Sequence, residues 1–269
     1  MQKSPPAALS IAGSDCSAGA GIQADLKTFQ HFRVHGLTAV SCVVSETAQI
    51  VRAVHPVPIA IFEDQITLLL ESFQVAAVKT GMLFSAAHVS AVAKILKNYR
   101  NLPSVVDPVM IASTGASLLE PEAIALYRTE LLPLAHLITP NLAEAEFLLG
   151  ESIPNEAALE SAARKLSAQF GTAVLLKGGH LEGDVCVDLL CDAGVVHHYA
   201  AARISVPSSH GTGCTLSAAI TAALALGQTL PASIATAKAY LGETLRQSYQ
   251  FPQGIHALNQ GTSFVKNEA

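Results

Sequence analysis

The chain has 269 residues, half of them hydrophobic and 14% charged, with a formal net charge of −5. That length holds one substantial core, the apolar content excludes a disordered chain, and the slight acidity excludes a nucleic-acid binder with a basic face. Cys16, Cys42, Cys186, Cys191 and Cys214 are scattered and lack CxxC spacing, which excludes a disulfide scaffold and a zinc site and points to reduced thiols.

The opening MQKSPPAALSIAGSD has no long apolar run, and Pro5 and Pro6 interrupt the stretch after its lysine, so it does not read as a signal peptide. No stretch approaches the roughly 20 apolar residues of a membrane span, and the expectation is a soluble, cytoplasmic protein. AALSIAG (7–13) then reads as a strand closed by glycine, and IQADLKTFQHF (22–32) as a helix with Ile22, Leu26, Phe29 and Phe32 on one side. LTAVSCVVS (37–45) reads as strand, FEDQITLLLESF (62–73) as helix and VAAVKTG (75–81) as strand. A helix over 85–98, a strand over 103–108, a helix over 121–131, a strand over 136–140, helices over 142–149 and 155–169, and the strand GTAVLLKGG (171–179) come next. VCVDLLCD and GVVHHYAA form a hairpin turned at Asp192, Ala193 and Gly194, before helices over 213–226 and 231–248. Without repeats or linkers the chain reads as a single domain over 1–269, ordered over about 7–255, with a loose tail beyond. The alternation predicts a parallel sheet with helices on both faces.

Ligands of such a sheet sit at the carboxyl ends of its strands. Glycine-rich and polar stretches fall on that rim: GSDCSAGAG, KTGM, DPVMIASTG, TPNLAE, KGGH and SSHGTGCT. In the last of these, Gly211 and Gly213 allow a tight turn whose N–H groups, with the positive end of the following helix, make a pocket for an anion. Cys214 falls in the first helical turn, where a thiolate is favoured and a lowered pKa is expected; the plainer reading is a small apolar residue packing a helix start. Two histidines, His180 and His210, lie in these stretches and receive no role.

GSDCSAGAGIQADLKT, KTGML, DPVM, ITPNLAEAEFLLG, LLKGGHLEG and SHGTGCTLSAAI, spread in order over residues 7 to about 248, resemble the hydroxymethylpyrimidine and phosphomethylpyrimidine kinases of thiamine synthesis, within the ribokinase-like superfamily. Vitamin B6 kinases share several of these motifs, the HGTGCT loop among them. The resemblance implies a three-layer α/β/α fold with a central, mostly parallel sheet, and a homodimer. It implies transfer of the ATP γ-phosphoryl, with magnesium, to a hydroxymethyl group or an existing phosphate on a small heteroaromatic ring. It makes Gly211, Thr212 and Gly213 the anion hole, and Cys214 the replacement for the aspartate that most ribokinase relatives use to activate the acceptor hydroxyl. Asn141 and Glu144, in NxxE spacing, would hold the magnesium and phosphate region; the plainer use of Asn141 is a helix cap. Asp25 would contact ring substituents, against a plain reading as a solvent-facing carboxylate near a helix start, and Gly13, Met82 and Val109 would line the acceptor pocket. Asp107 would bring a carboxylate to the same cleft, in the magnesium shell through water, and Lys177 would face nucleotide phosphates; turn chemistry and an exit to solvent are their bland alternatives.

This sequence departs from the family pattern at two places. Ala18 stands where glycine is usual, stiffening its loop. Glu46, in SETAQ, aligns by equal spacing to Asp64–Ile66 with the glutamine of an AQNT segment. A glutamine amide donates and accepts, whereas an ionised carboxylate only accepts, so an aminopyrimidine acceptor requires a neutral Glu46 carboxyl or a protonated ring, and otherwise the acceptor differs. Three other readings stand beside the pyrimidine kinase. They are a pyridoxine, pyridoxal or pyridoxamine kinase, a non-catalytic pyrimidine or vitamer sensor that the GTGC loop and NxxE speak against, and a thiol redox enzyme that lacks a nearby resolving cysteine.

Overall fold

The computed structural model describes residues 4–110, 121–179 and 183–261. The part of DPVMIASTG after Met110, and His180, lie outside the described residues. β1 (Ala7–Asp15) pairs in parallel with β2 (His35–Thr47) on one side and β4 (Val75–Thr80) on the other. Parallel pairing continues through β5 (Ser104–Val106), β6 (Leu137–Ile138) and β7 (Ala173–Lys177). Antiparallel strands close both edges: β3 (Ile50–Pro56) on β2, and the hairpin β8 (Val185–Asp192) and β9 (Val195–Ala202) on β7. The resulting order is β3-β2-β1-β4-β5-β6-β7-β8-β9.

The period of two along each strand sorts the core into two layers. Leu9, Ile11, Val106, Val174 and Leu176 face α2 (Ile59–Ser72), α3 (Ala86–Leu96), α5 (Leu142–Leu149) and α6 (Glu156–Phe170), packing with Phe62, Val89, Leu148 and Leu166. Their neighbours Ala8, Val105 and Leu175 face the other way, toward α1 (Gly21–His31), α7 (Thr212–Ala225) and α8 (Leu230–Arg246), with Phe29, Ala218, Ile220 and Ala237. Helices therefore cover both faces, and strands buried on both sides read as unbroken apolar runs. Between α3 and β6, α4 (Pro121–Leu126) widens into a π-helical turn (Tyr127–Leu131) and a 3₁₀ turn (Leu132–Leu134). The chain leaves β1 toward β2 but builds the rest of the sheet from β4 outward, so the carboxyl ends of β1 and β4 flank the point where the direction of winding reverses.

The structure departs from the sequence reading at two places. IVRAVHP is a strand that the sequence reading passed over, because β3 is exposed or half-exposed along its whole length and so has no buried face to print an alternation. Residues 256–261, read as part of a loose tail, are packed: β10 (Tyr249–Gln250) pairs with β11 (His256–Ala257), and Leu258 and Gln260 are buried. Polar ties hold it, among them Tyr240 Oη donating to the Gln260 carbonyl (2.8 Å) and His256 Nε2 against Ser248 Oγ (2.9 Å), and such ties leave no hydrophobic signature.

Candidate active site

The loop after β1 is wound around one carboxylate. Asp15 accepts from Ser17 N (2.7 Å), Ser17 Oγ (2.8 Å), Gly19 N (3.1 Å) and Ala20 N (2.8 Å), and its Oδ2 lies 3.0 Å from His210 Nε2 in the loop before α7. Burial alone would raise the Asp15 pKa, but the bonds from His210, Ser17 and the backbone outweigh it and hold the carboxyl well below the usual range. This network keeps Ala18 at φ 60°, a left-handed conformation that costs a residue with a Cβ about 1–2 kcal/mol. His210, left without a role by sequence, is the tie between two loops 195 residues apart.

Beside that tie the two backbones touch. A Cβ on Gly211 (φ 82°) would overlap the Gly19 carbonyl oxygen, and a Cβ on Gly19 would come 2.7 Å from the His210 ring. Gly213 is not constrained in this way: a Cβ there would sit 3.5 Å from Asp107 Oδ2 and from Lys177 Nζ, in ordinary contact. No side chain caps α7, and Gly211, Thr212, Gly213 and Cys214 all line the cleft; the Thr212 N–H donates to the Ser209 carbonyl (3.1 Å), which leaves the N–H groups of Gly213 and Cys214 to border it.

The Cys214 thiol does not follow the expected direction. Burial away from water pushes its pKa up to about 11; Lys79 pulls the other way without winning. Lys79, on β4, was missed in the sequence although a lysine inside a strand buried on both faces is itself a signal. Its Nζ lies 2.7 Å from both carboxylate oxygens of Asp25, and both side chains are 0% exposed. Burial draws each partner toward its neutral form, and the two-oxygen contact keeps the pair charged, lifting Lys79 above its ordinary pKa. Ser10 Oγ donates to Asp25 as well (2.5 Å). Asp25 is therefore neither solvent-facing nor in the pocket: α1 turns it inward, behind the cleft wall, where its partner is a lysine.

A second buried pair lies in the cleft itself. Lys177 Nζ is 3.0 Å from Asp107 Oδ1, which also accepts from Thr139 Oγ1 (2.9 Å), while Ser217 Oγ donates to Oδ2 (3.3 Å). Burial would raise the Asp107 pKa, but Lys177 holds it low, and Asp107 in turn lifts Lys177. The NxxE spacing proves to be a capping box: Asn141 Oδ1 accepts from Glu144 N (2.9 Å), and Glu144 Oε2 accepts from Asn141 N (2.8 Å). Glu144 is only 3% exposed, and burial, with the charge of Asp107 added and Lys177 opposing, pushes it up to about 7.

Among the described residues no three metal-ligating side chains converge, so a metal ion has no all-protein cage here. Magnesium commonly takes one or two carboxylates plus waters and phosphate oxygens, and two buried carboxylates that raise each other's cost of ionisation fit that demand.

Beside the loop after β1, Gly13, Val44, Glu46, Met82 and Val109 line the cleft. Gly13 packs closely on the strand behind it, since a Cβ would come 3.0 Å from the buried Cys42 Sγ. Glu46 is half-buried, and its carboxyl has no hydrogen-bond partner among the described residues; Cys16 Sγ meets its backbone N and O at 3.3 Å each. Burial raises the Glu46 pKa, Asp15 adds to the rise and His210 opposes it. From there the cleft, about 1210 Å³, runs past Asn141 and Lys177 to an arm between the end of β9 and α8, lined by Tyr199, Val206, Ala239 and Leu245, which sequence reasoning did not single out.

A sequence model of the family described as phosphomethylpyrimidine kinase matches residues 15–259. The thiamine biosynthesis bifunctional protein ThiED of Geobacter sulfurreducens is 41% identical over 93% of this chain and 51% of its own, so the chain spans about half the length of that relative. The hydroxymethylpyrimidine/phosphomethylpyrimidine kinase of Rhizobium meliloti is 44% identical over 87% of this chain and 88% of its own. Among solved structures, an ADP complex of Bacillus subtilis pyridoxal kinase superposes with a TM-score of 0.87 at 35% identity, over 96% of this chain and 98% of that one.

The glycine contact is testable by stability. Gly227 has the same positive φ as Gly211 (83° against 82°) with no atom within 4 Å of an added Cβ, so Gly227→Ala is expected to cost about 1–2 kcal/mol. Gly211→Ala is expected to cost about 1–3 kcal/mol more, from overpacking against Gly19. Urea denaturation of both variants checks this, and equal losses would mean that the two loops are not in contact.

Proposed function

We infer the activity from kinship: the chain belongs to the phosphomethylpyrimidine kinase family and is a kinase of ribokinase-like fold. The reaction proposed is ATP-dependent phosphorylation of 4-amino-5-hydroxymethyl-2-methylpyrimidine, of its monophosphate, or of both, as a step of thiamine biosynthesis. The observation that carries it is the layout of one cleft, with a small apolar end around Gly13, Met82 and Val109 and a long arm beside α8, meeting at the uncapped start of α7. The first-turn N–H groups and Lys177 would hold the transferring phosphoryl group, the largest contribution in a reaction that depends on positioning and charge stabilisation.

Asp107 and Glu144 would hold magnesium together with the donor phosphates, and the ion would neutralise their charge. Cys214 would receive the acceptor's proton, and only its thiolate can do so. With the thiol pushed up to about 11, that fraction is small near neutrality and grows with pH. Glu46, raised by burial, would present its carboxyl proton to the ring nitrogen and accept from the exocyclic amine.

A homodimer belongs to the same proposal, supported by the edge strand β3 and the exposed Val43, Ile50, Val51, Ile61 and Leu68, which a second copy would cover. So does a cytoplasmic place: all five cysteines are free, and no helix among the described residues is long and apolar enough to cross a membrane. Membership in a kinase family sets the non-catalytic sensor aside. One observation favours a second reading, a B6-vitamer kinase: the likeness to the ADP-bound pyridoxal kinase over nearly the whole chain.

Cys214→Ser is expected to lower kcat by about 10² to 10⁴. It should also abolish the rise of kcat toward alkaline pH that the growing thiolate fraction gives the wild type. Steady-state kinetics across pH measure both, and an unaltered profile returns Cys214 to packing. For Glu46, acceptor KM is expected to rise as pH climbs through the raised carboxyl pKa, because the donated proton is lost, and Glu46→Gln is expected to flatten that rise with kcat retained. The same KM profile in both proteins would remove Glu46 from acceptor recognition.

A further inference from the structure

We propose that Gln260 is a positioning residue for phosphoryl transfer: its side-chain amide ties the loop after β1 to the first turn of α7. The inference rests on the kinase reading, and concerns what keeps the anion-binding turn in place. Gln260 is 2% exposed and does not line the cleft. Its Nε2 lies 3.3 Å from the Gly19 carbonyl oxygen and 3.3 Å from Thr215 Oγ1, spanning 241 and 45 residues of sequence. A primary amide nitrogen carries two hydrogens, so one atom donates to both partners.

Those partners are the two sides of the joint on which the site depends. Gly19 O is the atom against which Gly211 packs without a side chain. Thr215 follows Cys214, and its N–H donates to Gly211 O (2.9 Å). The Gln260 backbone is braced from behind: Tyr240 Oη on α8 donates to its main-chain carbonyl (2.8 Å), and the Tyr240 ring packs on His31 (4.5 Å) and Phe32 (5.1 Å) at the end of α1. A buried amide is costly unless bonded, and a leucine would fill the same space without tying anything. The C-terminal segment is thus a strut reaching under the catalytic turn.

The test uses the full chain with Gln260→Leu and, as a control, His256→Ala, which releases the tail from Ser248 but touches neither loop. Gln260→Leu is expected to speed amide hydrogen exchange over residues 211–215 and to lower kcat about tenfold at unchanged KM for ATP, the size expected when a reacting group is slightly misplaced. His256→Ala is expected to lower the melting temperature and leave kcat and that exchange unchanged. Should Gln260→Leu not fold, Tyr240→Phe withdraws the brace without a cavity and is expected to shift the same exchange in the same direction. Exchange over 211–215 unaltered in Gln260→Leu or in its substitute, or a kcat loss equal to that of His256→Ala, overturns the proposal. Wild-type protein that turns over no acceptor while the exchange still responds would instead overturn the kinase reading and leave the strut standing.

Discussion

Two peptide backbones, at Gly19 and Gly211, meet with no side chain between them, and the cleft is assembled around that contact. It brings the loop after the first strand against the turn before α7, so the end of the cleft where an acceptor would sit, built from β1, β2 and β4, adjoins the helix start that would bind phosphate. Two separate bond sets span the joint. Asp15 winds one loop and pairs with His210 of the other, and Gln260 reaches both from beneath. Loops carry function because a rigid scaffold positions them, and here much of the positioning is done by polar bonds between residues far apart in sequence.

Charge is arranged in the same spirit. Lys79 with Asp25 and Lys177 with Asp107 each place a cation and an anion in a low-dielectric interior, where an unpaired charge would be prohibitive. The pairs differ in access: Lys79 and Asp25 are sealed behind the wall, while Lys177 and Asp107 border the cleft. A donor phosphate and its cation would therefore enter a site already charged with both signs. Burial raises Cys214 and Glu144, and a cation bound beside them would oppose that rise.

The alternation of strands and helices, the rim of glycine-rich stretches and the cysteine at the start of α7 were all legible in the sequence, because each follows from periodicity or from glycine and cap chemistry that acts within a few residues. The placement of Gly13, Glu46, Met82 and Val109 at one end of the cleft was legible through resemblance. Lys79 and the inward turn of Asp25 were not read: a lysine in a doubly buried strand signals a buried partner, but which residue, 54 positions away, is set by the fold alone. Nor was the direction of the Cys214 shift: a helix start favours a thiolate, but burial, which depends on the whole fold, dominates. β3 and the C-terminal strut escaped for the opposite reason, having little apolar pattern to show.

That this cleft phosphorylates an aminopyrimidine is most directly tested by ATP consumption with hydroxymethylpyrimidine, its monophosphate, pyridoxine, pyridoxal and pyridoxamine measured in parallel on one preparation. The highest kcat/KM is expected for one or both pyrimidines, with turnover dependent on magnesium. Turnover confined to the B6 vitamers would contradict the acceptor assigned to Glu46, and turnover with none of the five would contradict the kinase itself.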